Sequence, residues 1–332
     1  MKYELIIDSS NFFSALKKDV LNSKHNFFLQ TLSFEGDSVG QKFKEIILKK
    51  NRNIDIKILI DDFHHYFVDD KFIFSNFLNK NFIYQYKKSN EIVKDFKQNN
   101  IQFKFTNIVG IFLNKLISRN HKKIYVIDNN IAYIGGINIC EHNFMWHDLM
   151  LRINDKNIAN FIKNDFESTW NNKSKPKSEL FDDLELISVN GKNNKFGFKK
   201  ILNLVDSAKK EIWVISSYLT NPFLKKLKKA SEKKIKINII SSEKNNYPMF
   251  KDLIKKESKK NGFNLFLYKP RMNHMKAILI DKKYLILGSS CFDFMSYNFH
   301  SEIFAIITNK GLIRDFTKKV ITQDLKVSDK IL

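Results

Sequence analysis

The sequence predicts an α/β protein made of two homologous halves, each an α/β sandwich with a mixed sheet. Short apolar runs rich in β-formers alternate with helical patterns along the 332 residues. The order of these elements occurs twice, and so does one eight-residue signature. A polar run with one proline, residues 171–178, has the composition of a linker. We therefore expect a first half over residues 1–172 and a second half over residues 173–332.

The two halves are predicted to begin with the same run of elements. In the first half the patterns predict a helix, a strand, a helix and a strand over residues 11–23, 26–32, 40–50 and 54–60. In the second half they predict the same order over residues 198–209, 211–217, 222–233 and 235–240. Later in each half come two strands joined by a polar turn, over residues 123–134 and 276–287. This repeat predicts a pseudo-twofold molecule.

The halves differ in the length of chain that precedes the signature. His25 and His121 are 96 residues apart, whereas Ile212 and His274 are 62 apart. The extra ~34 residues are assigned to about residues 63–100. That segment is rich in aromatic side chains: Phe63, Tyr66, Phe67, Phe72, Phe74, Phe77, Phe82, Tyr84 and Tyr86. Because its apolar positions lack a clean helical period, the sequence leaves two interpretations open: a lipid-facing lid, or an extra helical layer that buries the rings.

The duplicated signature is H-x-K-x4-D. It runs from His121 to Asp128 in the first half and from His274 to Asp281 in the second. For this composition about 0.1 chance copies of the pattern are expected. A glycine follows each histidine after 14 residues, and an acid follows after 27 residues in the first half and 28 in the second. Two copies with the same flanking residues therefore indicate a duplicated functional site.

Two imidazoles and two lysines can cleave a phosphodiester without a metal ion. The pKa of histidine lies near neutrality, so one imidazole can attack phosphorus while the other serves as acid and base. The attack forms a covalent phosphohistidine, and the protonated imidazole gives its proton to the departing alkoxide. Lys123 and Lys276 would supply positive charge to the non-bridging oxygens. The spacing leaves open whether His121 or His274 is the nucleophile.

The residues that follow each signature fit the same site. Each imidazole needs a partner for its second nitrogen, and Asp148 and Glu302 are suitable acids. Four residues are candidates for phosphate binding, through close backbone approach or hydrogen-bond donation: Gly136, Asn138, Ser289 and Ser290. Asp128 and Asp281 lie about 16 Å beyond the lysines along an extended strand. That is too far for direct catalysis, so we interpret these two aspartates as structural turn residues.

Together these motifs resemble the phospholipase D superfamily, and within it the cardiolipin synthase-like branch. The resemblance covers about residues 6–307, and these segments carry it: 30–40, 119–124, 134–139, 146–148, 273–276 and 288–293, with Ser296 and Glu302. It implies a pseudo-dimer with one active site between the halves. It also implies that His121 is the nucleophile and His274 the acid–base group. The acids are expected to pair across the halves, Glu302 with His121 and Asp148 with His274.

Three residues depart from the pattern of that branch. Cys291 replaces an asparagine after the second glycine, Met295 replaces an arginine, and His300 replaces an asparagine two residues before the final acid. These are pocket positions and not the nucleophile. The departures therefore leave the chemistry in place but leave the particular reaction open.

Composition points to an anionic partner. Lys+Arg exceed Asp+Glu by 57 − 35 = 22, so the protein attracts anionic lipid surfaces or nucleic acid. The two cysteines, Cys140 and Cys291, fit free thiols in a reducing cytoplasm, and no Cys/His cluster has zinc-ligand spacing. We expect neither a signal peptide nor a membrane span, because the N-terminus lacks a basic region followed by an apolar one and no run of 18 apolar residues occurs. We expect a cytoplasmic monomer, peripheral at the inner face of the membrane, that needs no metal or cofactor.

Three functions follow, and the first is favoured. The first is a phosphatidyltransferase or phospholipase that acts on anionic glycerophospholipids, with a lipid alcohol or water as acceptor. The second is a metal-independent nuclease that uses the same chemistry, because the positive charge suits nucleic acid equally well. The third is a membrane- or nucleic-acid-binding scaffold with a degenerate site, which the presence of all four His and Lys residues disfavours.

Overall fold

Residues 2–50, 54–72, 76, 78–110 and 115–332 are described by the computed structural model. In this part of the chain the strands form two large mixed sheets and one short hairpin. The first sheet has the order β1-β9-β8-β7-β2-β3-β6. Its strands are β1 (Tyr3–Ile7), β2 (Asn26–Thr31), β3 (Asp55–Asp61), β6 (Gln102–Thr106), β7 (Ile124–Ile127), β8 (Ile131–Gly135) and β9 (Leu149–Asn154). The hairpin pairs β4 (Phe67–Val68) with β5 (Lys71–Phe72).

The second sheet has the order β10-β11-β17-β16-β15-β12-β13-β14-β18. Its strands are β10 (Lys177–Phe181), β11 (Leu184–Asn190), β12 (Glu211–Ile215), β13 (Lys236–Ser242), β14 (Asn264–Tyr268), β15 (Ala277–Ile280), β16 (Tyr284–Gly288), β17 (Ser301–Ile307) and β18 (Ser328–Lys330). The central six strands repeat the topology of the first sheet, with three antiparallel strands followed by three parallel ones. The predicted duplicated α/β fold with mixed sheets is therefore confirmed.

Helices cover the sheets and connect the parallel strands. In the first half they are Ser9–Asn22, Ser38–Lys50, Lys80–Gln98, Glu141–Phe144 and Lys156–Trp170. In the second half they are Lys195–Asp206, Phe223–Glu232, Pro248–Asn261, Phe294–Asn298, Lys310–Phe316 and Thr322–Lys326. Among the described residues, no helix combines the length and the apolar character that a bilayer crossing requires.

A core shared by both halves holds the two sheets together. One buried cluster contains Ile134 and Leu151 from the first sheet and Leu287 and Ala305 from the second. Helix Lys156–Trp170 contributes its apolar face to the same cluster, with residues at helical spacing: Ile158, Ala159, Ile162 and Phe166. Each half also has its own core on the outer side of its sheet. The space between the sheets is thus packed, which fixes the relative position of the two signatures.

The extra length of the first half is more dispersed than the sequence predicted. Helix Lys80–Gln98 is the counterpart of Pro248–Asn261, because each connects the second and third parallel strands of its sheet. The additional elements are a turn at Asp62–His65, the β4–β5 hairpin and a longer connection between β6 and the first signature. The assignment of all the extra residues to 63–100 is therefore wrong, because part of that segment belongs to the common fold.

The aromatic side chains of this segment have mixed environments. Phe63 stacks on Phe67 at a ring distance of 3.9 Å, and Phe67 contacts Phe72 at 5.0 Å. Phe82 is buried, whereas Tyr84 is 63% exposed. Phe74 and Phe77 lie outside the described residues. Some rings therefore pack internally as one interpretation predicted, and Tyr84 faces solvent.

The aspartates that end the two signatures have equivalent structural contacts. Asp128 accepts hydrogen bonds from the backbone amides of Lys24 and His25 at 2.7–3.0 Å. Asp281 accepts them from Lys209 and Lys210 at 2.8 Å. In each half these amides lie in the turn that enters the central strand. Both carboxylates thus stabilise this turn, at the end of the strand remote from the signature histidine.

Candidate active site

The two signature histidines pair with acids from the opposite half. His121 Nδ1 lies 3.1 Å from Glu302 Oε1 and 3.1 Å from the Ser289 carbonyl oxygen. His274 Nδ1 lies 2.7 Å from Asp148 Oδ2. The neighbouring oxygens are acceptors, so in each ring Nδ1 carries the proton and Nε2 keeps its lone pair. The structure therefore has the cross-half pairing that the resemblance implied.

Backbone bridges between the halves place these pairs. The His121 amide donates to the Ser301 carbonyl at 2.9 Å, next to Glu302. The His274 amide donates to the His147 carbonyl at 2.8 Å, next to Asp148. Each bridge is parallel and joins the residues just before a signature to those just before the opposite acid. The pseudo-twofold relation of the halves thus produces two equivalent histidine–acid pairs.

The signature lysines are buried against the same histidines. Lys123 Nζ donates to the His121 carbonyl at 2.8 Å, and Lys276 Nζ donates to the His274 carbonyl at 2.6 Å. Lys276 Nζ also lies 3.0 Å from both ring nitrogens of His274. Burial lowers the pKa of Lys123 to about 8. This ammonium is still mostly charged at pH 7, so it can bind a phosphate.

Burial and the neighbouring lysines keep both imidazoles neutral. The pKa of His274 falls to about 4, first because it is buried and then because Lys276 is close. The pKa of His121 is also lowered, by burial and by Lys123. Burial opposes ionisation of Glu302, but its contact with His121 and the nearby Lys123 hold the pKa of this carboxyl at about 2. At neutral pH the site therefore contains two neutral imidazoles and ionised acids, and a neutral imidazole is the form that can attack phosphorus.

The two acids are held in different ways. Glu302 accepts hydrogen bonds from the hydroxyls of Ser289 at 2.5 Å and Ser296 at 2.9 Å. Asp148 instead packs against Gly136, where a Cβ atom would lie 2.4 Å from both carboxylate oxygens. Gly136 and Ser289 are equivalent, since each follows its signature histidine by 15 residues. The shorter acid thus needs a glycine, and the longer acid is anchored by serine.

The side chains predicted to bind phosphate already have protein partners. The Ser289 hydroxyl bonds to Glu302, and the Ser290 hydroxyl donates to the Cys291 carbonyl at 3.0 Å. The Asn138 amide donates to Asn143 at 2.8 Å. Their hydroxyls and amide therefore have structural partners in this state. Their role as phosphate ligands, with that of Gly136, stays a prediction.

Three rings contact the two histidines, and among them the sequence had indicated only His300 as a pocket position. Trp146 and Tyr218 contact His274, with ring distances of 4.8 and 5.9 Å. His300 stacks on His121 at 5.6 Å, and burial lowers its pKa to about 3. Tyr218 could have been suspected only from its place just after a central strand, since side chains at strand ends form sites in α/β sheets. The pocket wall thus consists of the Trp146 and Tyr218 rings beside His274 and of the His300 imidazole beside His121.

One departure from the expected pattern lies in this wall. Cys291 is 6% exposed and packs with Tyr218 and Met272. Burial raises the pKa of its thiol well above the usual range. The side chain therefore acts as a small apolar group where an amide was expected, and it cannot replace the hydrogen bonds of an asparagine.

A duplicated sandwich with paired His/Lys signatures defines a phospholipase D-type phosphodiester enzyme. The family described as "Cardiolipin synthase, PLD-like domain" matches residues 16–170 and 201–323. The chain belongs to this family and is an enzyme of the phospholipase D superfamily. Its relatives include cardiolipin synthase 2 of Staphylococcus epidermidis, at 24% identity over 98% of this chain and 68% of the relative. Another is the cardiolipin synthase of Listeria monocytogenes, at 22% identity over 97% of this chain and 69% of the relative.

Solved structures share the fold. Phosphatidylserine synthase from Haemophilus influenzae superposes with a TM-score of 0.77 at 14% identity, covering 99% of this chain and 87% of that protein. Polyphosphate kinase from Porphyromonas gingivalis gives a TM-score of 0.65 at 11% identity, covering 99% of this chain and 48% of that protein. At this level of identity the likeness concerns the fold alone.

Proposed function

We propose that this chain is a phosphatidyltransferase that makes cardiolipin from an anionic glycerophospholipid. The observation that carries the proposal is the pair of cross-half contacts, His121 with Glu302 and His274 with Asp148. They place two imidazoles and two buried lysines at one interface. The family match and the cardiolipin synthase relatives favour a phospholipid over other phosphodiesters.

The first step breaks the bond between phosphorus and its alcohol. Nε2 of His121 attacks phosphorus of a phosphatidylglycerol while Glu302 stabilises the positive charge that develops on the ring. The P–O bond breaks, and the departing glycerol oxygen takes a proton from Nε2 of His274, which gains that proton from solvent when the phosphate binds. Because the phosphate is anionic, its arrival opposes the effect of Lys276 and raises the pKa of His274 toward neutrality. Lys123 and Lys276 neutralise the non-bridging oxygens.

The second step reverses the first with a new alcohol. The hydroxyl of a second phosphatidylglycerol gives its proton to His274, and its oxygen attacks phosphorus. The P–N bond to His121 breaks and cardiolipin leaves. These steps use only histidine, lysine and carboxylate side chains, so the proposed reaction needs no metal or cofactor. With water in place of the second lipid the product would be phosphatidic acid.

The positive surface supports docking to an anionic bilayer. The sequence carries a net charge of +22, and anionic lipid attracts basic surfaces near the membrane. We propose that a single chain, with halves 1–172 and 173–332, works from the cytoplasmic face of such a bilayer. Both halves are needed for one site, because each histidine takes its acid from the other.

The test is mass spectrometry of phosphatidylglycerol liposomes incubated with the purified protein in EDTA. Cardiolipin plus glycerol is the expected product, and it should be absent with His121→Ala. His25→Ala is the matched control, because His25 is an exposed histidine outside the site. Phosphatidic acid would indicate hydrolysis. Intact lipid together with degradation of single-stranded DNA in parallel reactions would overturn the lipid substrate in favour of a nuclease.

A further inference from the structure

A second group of chemically reactive side chains lies outside the His/Lys site. Glu35, Cys140 and His142 come together so that one donor atom of each lies within 4.8 Å of the others. We call these residues the Glu35 cluster. Glu35 is 2% exposed and Cys140 is fully buried. The mechanism proposed above uses none of the three.

The donor atoms lie close enough together for side-chain rotation to bring them around one tetrahedral zinc ion. Cys140 Sγ lies 3.7 Å from His142 Nε2, and Glu35 Oε1 lies 4.0 Å from His142 Nδ1. Bonds of about 2.3 Å to sulfur and 2.0–2.1 Å to nitrogen or oxygen, at tetrahedral angles, place donor atoms about 3.3–3.6 Å apart. These two distances involve different ring nitrogens, and one donor atom of each residue lies within 4.8 Å of the others. Side-chain rotations would therefore have to bring the thiolate, the carboxylate and one ring nitrogen to bonding distance.

The hairpin absent from the second half provides further acidic groups. Asp69 Oδ1 lies 3.5 Å from His142 Nδ1, and Asp70 Oδ1 lies 3.6 Å from His142 Nε2. Other contacts of these residues are Lys71 with Asp69 at 2.8 Å, Asn246 donating to Asp70 at 3.3 Å, and the Asp69 amide donating to both Glu35 oxygens at 3.2 Å.

We propose that Glu35, Cys140 and His142 bind a structural zinc ion, with Asp70 as the fourth ligand. The thiolate selects a soft or borderline cation such as zinc over magnesium or calcium. Binding displaces the thiol proton and ties together three segments: the end of β2, the β4–β5 hairpin and the turn after β8.

The zinc site would support the wall of the catalytic pocket. The His142 ring contacts Trp146 at 5.2 Å, and Trp146 contacts His274 at 4.8 Å. A metal that fixes His142 therefore fixes the tryptophan that packs on the acid–base histidine. This role is structural and requires no metal at the phosphate itself.

The test measures bound metal directly. Protein purified without chelator is expected to contain about one zinc per chain by elemental analysis. Cys140→Ala removes a direct ligand. Its zinc affinity should therefore fall by a larger factor than the about 10- to 100-fold that is typical when an outer-shell partner is lost. Cys291→Ala, which removes the other buried thiol, should leave zinc content unchanged.

Cobalt substitution gives a readout that does not depend on the Cys140 variant folding. Co²⁺ bound to the unaltered chain should show intense visible bands of tetrahedral coordination and a thiolate-to-cobalt charge-transfer band. Both should persist in Cys291→Ala. Absence of the charge-transfer band, or equal zinc content in the unaltered chain and in folded Cys140→Ala, would overturn the proposal. The cluster would then be an ion-pair network around a protonated His142.

Discussion

The two halves build equivalent histidine–acid pairs from different residues. In one pair a short acid, Asp148, lies against a glycine, and in the other a longer acid, Glu302, is held by two serines. The extra methylene of glutamate and the extra atoms of Ser289 occur together, and so do the shorter acid and Gly136. In both halves a carboxylate lies at the same position beside its histidine. The type of acid and the residue that supports it differ together, aspartate with glycine and glutamate with serine.

A second difference concerns the residue that stands between the histidine and the lysine of each signature. Lys122 is fully buried and lies 2.7 Å from both Asp165 and the Ser188 hydroxyl. Asp165 belongs to the first half and Ser188 to the second, so this contact joins the halves. The equivalent Met275 packs in the apolar core that both halves share. A buried ion pair thus occupies one side of the interface and a thioether the other.

The largest expected effect separates the roles of the two histidines. With an activated lipid whose leaving group is nitrophenolate, no acid is needed, so His274→Asn should still form a covalent adduct at His121. His121→Asn should form none, and transfer between natural lipids should fall at least about 10⁴-fold in both. Intact-protein mass spectrometry measures the adduct, and His25→Asn is the control. An adduct on His274 in the His121 variant would reverse the assignment.

Removal of the buried lysine should give the next largest effect. Lys122→Met copies the second signature but leaves the Asp165 carboxylate buried without its cation. We expect a loss of about 3–5 kcal/mol in the free energy of unfolding, measured by urea denaturation. The double variant Lys122→Met/Asp165→Asn should recover part of it. Lys228→Met, at an exposed pair 3.9 Å from Glu232, should cost less than about 1 kcal/mol. Equal losses in both single variants would contradict the interface role of Lys122.

Changes at the two equivalent support positions should have unequal effects. Gly136→Ala forces Asp148 away from His274 and should lower kcat by about 100-fold, as a displacement of about 1 Å does elsewhere. Ser289→Ala removes one of the two hydroxyls that bond to Glu302 but leaves that of Ser296, so kcat should fall by less than in Gly136→Ala. The lost hydrogen bond to a charged group should lower the free energy of unfolding by about 1.5–3 kcal/mol. Ser258→Ala, a buried serine outside the site, is the control. A larger loss of kcat in Ser289→Ala than in Gly136→Ala would refute this account of the two supports.

The last expected effect concerns pH and is small for each pH unit. His274 has a pKa of about 4 in the folded protein, against 6.5 for a free histidine. The unfolded chain therefore binds more protons between these values, and stability falls as pH drops from about 6.5 to 4. One such group contributes at most about 1.4 kcal/mol per pH unit. His274→Asn should flatten the dependence of the unfolding free energy on pH in this window, whereas His25→Asn should not.

Much of this protein could be predicted from local patterns. The alternation of strands and helices is visible because buried strands are apolar throughout and helices have an apolar face. The repeat of H-x-K-x4-D identified both halves and the residues that the folded chain brings together. The structural role of Asp128 and Asp281 could also be predicted, because a residue so far along an extended strand cannot reach the imidazole.

Contacts between distant segments were harder to predict. The partners of Ser289 and Asn138 depend on side-chain directions that sequence spacing does not reveal. The donors of the Glu35 cluster come from positions 35 and 140–142, so zinc-ligand spacing was absent from the chain. The extra length of the first half was assigned to one segment because the sequence did not show that Lys80–Gln98 has a counterpart.

The sequence by itself determined the duplicated α/β fold, the four His and Lys residues and the family. Periodicity and short motifs are local properties that need no knowledge of packing. Only the tertiary structure decided how Gly136 and Ser289 support unlike acids, how Lys122 joins the halves, and which rings cover each histidine. These features depend on the packing of the two sheets against each other, which brings together His121 and Glu302, 181 residues apart in the chain, and His274 and Asp148, 126 residues apart.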